Sequence, residues 1–362
     1  MKKVIFSALL VVLCISLFAQ ITPYGSARVG YWFENADEDK SGVKDENGEP
    51  ISYMTSRYFL QTNSRFGVNF RQDEFAARVE LDGNNGSQAI GLRLLWARQS
   101  FGSWSLLVGQ EEVVANQKTT QVWDSDLNMN GYGAVDGGRR MQVRMDMDNG
   151  FYAALIQPNM VAPSGSPAEP EFLFPMINLG YNWKNDKIAV APTLVFQQFG
   201  YNKDKHGDDP SVMSYLFSVT ADFSATDELL VRASFNYGSN TGNMGYRGPY
   251  NTAGWKAKTN PNDDTETDDI ATLGGWLTAR YALNPNVNFT GGFGLAMSSN
   301  EDWDNDPTRM GFYVQAEMRF QRLRFIPEIG MMDDGVQPMK VADKDIENGS
   351  LFYFGTQLRL DF

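Results

Sequence analysis

The chain holds one histidine, His206, and one cysteine, Cys14, in 362 residues. A single imidazole excludes a His-rich zinc site and any mechanism that needs two. A single thiol excludes an internal disulfide and a cysteine metal cluster. Basic residues are scarce: 31 Lys+Arg stand against 44 Asp+Glu, with a pI near 4.6. Without Lys2 and Lys3 the balance is 29 to 44, a net of −15. Phosphate binding needs a basic footprint, so no nucleic acid is expected as a partner. Only 42% of residues are hydrophobic, poor material for a large apolar core. Beyond the start, no unbroken apolar run approaches the roughly 18 residues that a helical span needs.

What is present is glycine (34 residues), aromatics (13%) and a clear N-terminal address. Lys2 and Lys3 precede an apolar run from Val4 to Phe18, and Ser16-Leu17-Phe18-Ala19 offers a small residue before Gln20. Residues 1–19 read as a signal peptide for export, cleaved before Gln20. The run is short for a membrane anchor, and bulky Leu13 before Cys14 argues against a lipoprotein. Cys14 then leaves with the signal, and 20–362 is a single domain.

Along that domain the period is two. In 309–321, Met310, Phe312, Val314, Ala316, Met318 and Phe320 share one face, and Gly311, Tyr313, Gln315, Glu317, Arg319 and Gln321 the other. In 138–148, Met141, Val143, Met145 and Met147 oppose Arg140, Gln142, Arg144 and Asp146. In 57–71, Tyr58, Leu60, Phe66, Val68 and Phe70 oppose Arg57, Gln61, Asn63, Arg65, Asn69 and Arg71. One such strand would also suit a soluble sandwich.

The connections are more specific. Sixteen strands are expected near 22–34, 54–71, 74–81, 88–100, 104–112, 138–148, 150–158, 173–184, 187–199, 211–223, 228–239, 269–282, 287–298, 309–321, 323–332 and 350–362. Tight turns such as Gln72-Asp73, Asp148-Asn149-Gly150 and Lys184-Asn185-Asp186 alternate with long polar loops near 35–53, 82–87, 113–137, 159–172, 200–210, 240–268, 299–308 and 333–349. Short turns at one end and long loops at the other mark a closed antiparallel transmembrane β-barrel of the outer membrane. A secreted β-sandwich or β-helix would not need that strict alternation. At the C-terminus, Phe354, Leu358, Leu360 and Phe362 share a lipid face while Gln357, Arg359 and Asp361 point inward. Tyr31, Trp32, Phe33, Tyr181, Trp183, Tyr281 and Tyr353, near strand ends, are expected as interface girdles.

Several short segments carry a family resemblance: Tyr24-Gly25-Ser26-Ala27-Arg28-Val29-Gly30, Asn63-Ser64-Arg65-Phe66-Gly67-Val68, Leu94-Leu95-Trp96-Ala97-Arg98-Gln99-Ser100-Phe101-Gly102-Ser103 and Leu106-Leu107-Val108-Gly109-Gln110. They cover about the first third of the chain and resemble the general bacterial porins, sixteen-stranded trimeric channels of Gram-negative outer membranes. The C-terminal strand also resembles the terminal signal of such barrels, which usually ends in Phe. Gln110 departs from the family pattern, standing where an Arg is usual. The resemblance implies a third loop, 111–137 here, folded into the lumen to narrow it, and a homotrimer.

Alternation places Arg28, Arg57, Arg65, Arg78, Arg93, Arg140 and Arg144 on the inner face as a candidate basic wall. The candidate constriction loop 111–137 holds Glu111, Glu112, Asp124, Asp126 and Asp136 against Lys118 alone, a net of −4. Opposed charges of this kind make a transverse field, and charged rings set ion preference. Trp123 and Tyr132 are candidates for fastening the loop to the wall. The external loops are acidic: Glu34, Asp37, Glu38, Asp39, Asp45, Glu46 and Glu49 in the first, Asp263, Asp264, Glu266, Asp268 and Asp269 in the sixth, Glu301, Asp302, Asp304 and Asp306 in the seventh. Asp302, Asp304 and Asp306 have calcium-loop spacing but lack the Gly and the terminal Glu. No cofactor or resident metal is expected; Ca2+ at these loops, bridging to lipopolysaccharide, is the one exception weighed.

The reading is a passive diffusion channel for small hydrophilic solutes and ions, weakly cation-selective. The alternatives are an anion- or sugar-selective channel and a non-conducting surface barrel. No enzyme is expected. A barrel hydrolase needs His beside Ser or Asp, and His206 sits in the polar loop Lys203–Asp209. Small residues on the early outer face (Gly25, Ala27, Val29, Ala77) permit close packing of copies, so mass measurement in mild detergent should give a trimer rather than a monomer.

Overall fold

In a computed structural model the chain is described at residues 20–83, 90–160, 170–172, 174–201, 211–246, 248–249, 254–255, 267–339 and 344–362. The signal segment 1–19 with Cys14, His206, and the loop acids Asp263, Asp264 and Glu266 lie outside the described residues.

Sixteen strand positions follow one another in the chain, each antiparallel to the next. Strand β1 is Gln20–Ala36. Strand β2 has two pieces, Tyr53–Leu60 and Arg65–Gln72. Then come β3 (Phe75–Gly83), β4 (Ile90–Ser100), β5 (Trp104–Glu112), β6 (Arg139–Met147) and β7 (Phe151–Ile156). Strand β8 has three pieces: Pro170–Phe172, Met176–Tyr181 and Trp183–Lys184. The rest are β9 (Ile188–Tyr201), β10 (Ser211–Ser224), β11 (Leu229–Ser239), β12 (Ala271–Asn284), β13 (Val287–Ser299), β14 (Thr308–Phe320), β15 (Leu323–Asp333) and β16 (Ser350–Asp361). Helix among the described residues is confined to single turns, α1 (Glu38–Ser41), α2 (Trp123–Asp126) and a 3-10 turn at Thr241–Met244. The sixteen strands thus sit where hydrophobic period and turn chemistry place them. Tight turns place Asp73, Gly102, Gly150 and Gln321 at positive φ, which Asp and Gly tolerate best.

The sheet closes on itself. On one side β1 pairs with β16, from Ser26 opposite Asp361 to Ala36 opposite Leu351. On the other it pairs with both pieces of β2. The last rung joins the Gly25 N–H to the Phe362 carbonyl at 2.8 Å and the Phe362 N–H to the Gly25 carbonyl at 3.1 Å. Between Val29 opposite Leu60 and Ser26 opposite Arg65, β2 uses two residues more than β1. An even insertion keeps every side chain on its own face, where an odd one would turn the strand inside out.

Outer and inner faces follow the alternation. Tyr58 is 76% exposed, Ile90 74%, and Met310, Phe312 and Val314 of β14 are exposed while Gly311, Tyr313 and Gln315 are buried. Phe354, Leu358, Leu360 and Phe362 are all exposed, as expected for the lipid face. Water-soluble monomers do not carry an apolar band of this extent. A closed single sheet also removes the sandwich alternative.

Three residues change sides relative to expectation. Trp32 and Tyr353 are fully buried inward-facing side chains rather than girdle aromatics. Tyr31 and Phe33 flank Trp32 on the outer face, as Phe352 and Phe354 flank Tyr353, so alternation forces the central ring inward. Glu34 belongs to the inner face of β1, not to an external loop: β1 runs two residues past it, to Ala36, and its carboxylate is nine-tenths buried. By contrast, Tyr31, Tyr181, Trp183 and Tyr281 are exposed near strand ends.

A closed barrel without a free edge should survive detergent, so unboiled and boiled samples should migrate differently in a denaturing gel. A Cβ on Gly25 would lie 2.3 Å from the Phe362 ring. Gly25→Val should therefore strain the closing rung, cost about 1–3 kcal/mol, and lower the temperature at which the gel shift is lost.

Candidate constriction site

Residues 113–137, between β5 and β6, carry the densest inward-facing chemistry. They hydrogen-bond to inner-face side chains of eight strands: β1, β2, β10, β11, β12, β14, β15 and β16. Two anchors stand out. At one, the Gln117 amide donates to Ser218 Oγ at 2.7 Å and Ser234 Oγ at 2.6 Å, and its carbonyl accepts Trp276 Nε1 at 2.9 Å. Around it, Val113, Ala115 and Val135 pack with Ala154, Ile156, Met176, Val195, Leu216, Met244 and Tyr246. Part of the inner face of β7–β10 is thus covered by apolar side chains.

The second anchor lies on β15, β16, β1 and β2. Glu328, 3% exposed, accepts the N–H groups of Val122 (2.8 Å) and Trp123 (3.0 Å) and the Tyr353 hydroxyl (3.0 Å). Trp123 stacks on Tyr353 at 4.5 Å and donates its indole N–H to Glu34 at 2.8 Å. Carboxylate acceptors make roughly twice the hydrogen bond of a neutral one. Here two of them hold two adjacent residues. The interruption of β2 forms the seat: Gln61 donates to the Val122 carbonyl (3.1 Å), the Thr62 N–H to Ser125 Oγ (3.1 Å), and Asn63 to the Ser125 carbonyl (2.9 Å). At the far end of the segment, Tyr132 donates to Asp334 at 2.7 Å. Burial and that carboxylate push the Tyr132 phenol well above its ordinary pKa. Trp123 and Tyr132 both pack against the wall.

The turn held in this seat is left-handed. Asp124 (φ 49°, ψ 50°), Ser125 (66°, 42°), Asp126 (φ 62°), Asn128 (57°) and Met129 (59°) all have positive φ. Asp and Asn visit this region readily, Ser and Met do not, and each unfavourable residue costs of order 1–3 kcal/mol. The hydrogen bonds of the seat supply the compensation. Backbone of this hand aims Asp124 at Arg57 (3.2 Å) and Asp126 at Arg28, with the Gln357 amide at 2.9 Å from Asp126.

The other sequence-singled residues distribute as follows. Arg65, Arg78 and Arg93 converge on Glu80, at 3.6, 2.9 and 2.7 Å. Arg144 pairs with Asp146 (3.1 Å). Arg140 donates to the Gly137 carbonyl (2.9 Å), and its neighbour Arg139 takes the expected lining position, beside Glu112 (3.9 Å). Glu112 also pairs with Lys118. Asp136 accepts the Gly138 N–H at 3.0 Å, and Glu111 accepts the Glu112 N–H at 2.8 Å. Of the seven wall arginines, Arg28 and Arg57 make salt bridges with acids of the segment. Gln110 donates to the carbonyls of Leu92 and Arg93, both 3.0 Å. Among the described residues, no three His, Cys, Asp or Glu side chains converge to hold a metal ion.

A cavity of about 410 Å³ lies between segment and wall. Arg28, Arg65, Arg93, Lys118, Arg139 and Arg359 line it against Asp82, Glu112, Asp126 and Asp136, six cations to four carboxylates, net +2. Arg359 was placed on the inner face from sequence but not counted in the basic wall. It enters because β16 closes beside β1, and with it come Arg319 and Arg324, paired with Glu317 and Asp361. Glu328 was missed as well. Its signal was a lone carboxylate at an inward position of β15, in Arg-Phe-Ile-Pro-Glu-Ile.

No family model matches the chain, and no curated protein matches it. Among solved structures, it resembles the outer membrane channel DcaP of Acinetobacter baumannii, with TM-score 0.68 and 16% identity over 96% of this chain and 98% of that one. It also resembles the anion-selective porin from Comamonas acidovorans, with TM-score 0.61 and 14% identity over 95% and 100%. A third is the trimer form of OmpT, an outer membrane protein of Vibrio cholerae, with TM-score 0.58 and 15% identity over 95% and 99%. At such identities the likeness is one of fold, and it matches the porin resemblance of the sequence.

Trp123→Ala removes the stacked ring and its hydrogen bond to Glu34. Large-to-small changes of this type cost about 3 kcal/mol or more. Proteolytic cleavage within 113–137 should then rise roughly 10²-fold, with the barrel's gel shift unchanged.

Proposed function

We propose that this chain is an outer-membrane porin: a water-filled β-barrel for passive diffusion of small hydrophilic solutes and ions, narrowed by residues 113–137. The observation that carries the reading is a closed barrel, apolar outside, enclosing a cavity lined by opposed guanidinium and carboxylate groups. The export signal read in residues 1–19 and the C-terminal strand support localisation in the outer membrane, and the trimer form of one structural relative supports a homotrimer.

On selectivity, geometry favours the alternative of a modest anion preference over the weak cation preference suggested by total charge. Asp126 pairs with Arg28, Asp124 shares Arg57 with Glu34, and the cavity lining is net +2. Fields from the acidic external loops are screened within roughly 8 Å at physiological salt. The cation reading rests on the net −15, the acidic external loops and the net −4 of residues 111–137.

Purified protein in a planar bilayer should give stable conductance steps, and a sealed barrel would give none. In a KCl gradient the reversal potential should have the sign of a mild anion preference. Arg93→Gln with Arg139→Gln should move it toward cations, and Asp126→Asn toward anions. A wild-type potential of the opposite sign would restore the cation reading.

A further inference from the structure

Glu328 differs from the other carboxylates that face the segment. Asp124 and Asp126 belong to the segment and pair with Arg57 and Arg28; Glu34 pairs with Arg57. The three hydrogen-bond donors to Glu328 are all uncharged: the N–H groups of Val122 and Trp123 and the Tyr353 hydroxyl. Those two peptide groups immediately precede the left-handed turn. Their position decides where Asp124 and Asp126 point.

We infer that Glu328 is the positioning residue of the channel: its ionised carboxylate latches Val122 and Trp123, and so keeps Asp124 and Asp126 on Arg57 and Arg28. Neutralising Glu328 removes the charge from both N–H acceptors. A protonated carboxyl or an amide also needs an acceptor for its own hydrogen. The seat then loosens, the left-handed backbone relaxes, Arg28 loses Asp126, and Arg57 loses Asp124 and keeps only Glu34. The narrow part of the channel becomes more cationic, although Glu328 itself touches no solute. Titratable and charged groups around Glu328 are Tyr353 on β16, Tyr313 on β14, Glu34 and Arg28 on β1, Arg57 on β2, and Asp124 and Asp126 on the segment. Acid acts on the carboxylates among them as well. The latch therefore has to be read from the segment's own motion.

This inference deepens the channel reading, so its first test does not use conductance. Amide hydrogen exchange over residues 120–128, corrected for intrinsic rates, is compared between wild type and Glu328→Gln in the full-length folded barrel. Exchange should be several-fold faster in the variant at mildly alkaline pH. Wild type should approach the variant as pH falls, and the variant should change little. Glu317→Gln, which removes an inner carboxylate paired with Arg319 and Arg324, should leave exchange over 120–128 as in wild type. In bilayers, Glu328→Gln should shift the reversal potential toward anions. If Glu328→Gln does not fold, a Thr62→Cys/Ser125→Cys cross-link tests the same point, since it should abolish the acid-induced exchange. Wild-type protection in folded Glu328→Gln, or acid-induced exchange that persists in the cross-linked barrel, overturns the latch. Fast exchange in the variant without conductance in either protein would keep the latch and reject the channel.

Discussion

A peptide group facing hydrocarbon has no water to bond, so every N–H and C=O of the wall must find a partner within the sheet. The rung between Gly25 and Phe362 meets that demand by joining the two ends of the strand order. Gly25 leaves room for the Phe362 ring, which fills the space a Cβ would need. Once the sheet is closed, alternation divides every strand into an apolar outer face and an inner face free to carry charge. The seam also makes neighbours of residues more than three hundred positions apart. Arg28 and Ser26 of β1 lie beside Arg359 and Asp361 of β16, so the charged inner wall runs through the seam.

The inner face is not uniform. Along β7–β10 it is uncharged at Ala154, Ile156, Met176, Val195 and Leu216, which are covered by Val113, Ala115, Val135, Met244 and Tyr246. Along β14–β6, through the seam, it is crowded with guanidinium groups and carboxylates. The 113–137 segment bridges the two, with Gln117 at one anchor and the Trp123 region at the other. Its polar lining is possible because a barrel interior is wet; the same charges on the outer face would be expelled from lipid. The left-handed turn at 124–129 holds Ser125 and Met129 against their local preference. It persists because β2 is interrupted where a seat is needed, and because Glu328 and Glu34 bind donors that would otherwise be unsatisfied.

The net charge of the chain and the charge of the cavity lining differ in sign, −15 against +2. The acids of the segment are counted against the pore in any sum over the sequence, yet two of them are spent on arginines of the wall. Glu80 likewise faces three arginines rather than one. The balance along the inner wall depends on which pairs form, and pairing is a matter of position.

Local chemistry in the sequence determined a great deal here. Strand number, turn sites, the two faces of β2, β6 and β14, and the lipid-facing ending at Phe354, Leu358, Leu360 and Phe362 follow from period two and from Asn, Asp and Gly at turns. These are properties of adjacent residues, and adjacency is what a sequence records. Only the tertiary structure decided that Trp32, Glu34 and Tyr353 form one inner cluster around Trp123, that Arg139 rather than Arg140 lines the cavity, and that Glu328 holds the segment. Trp32 and Tyr353 could have been assigned by strict alternation from Phe33 and Phe354. Glu328 could not, because its meaning lies in two peptide groups some two hundred positions away. The cluster Trp123-Asp124-Ser125-Asp126-Leu127-Asn128 announces a turn, but its left-handed course depends on the break in β2. Long-range partners of this kind exist only after the barrel has closed, since closure alone brings β15, β16, β1 and β2 side by side.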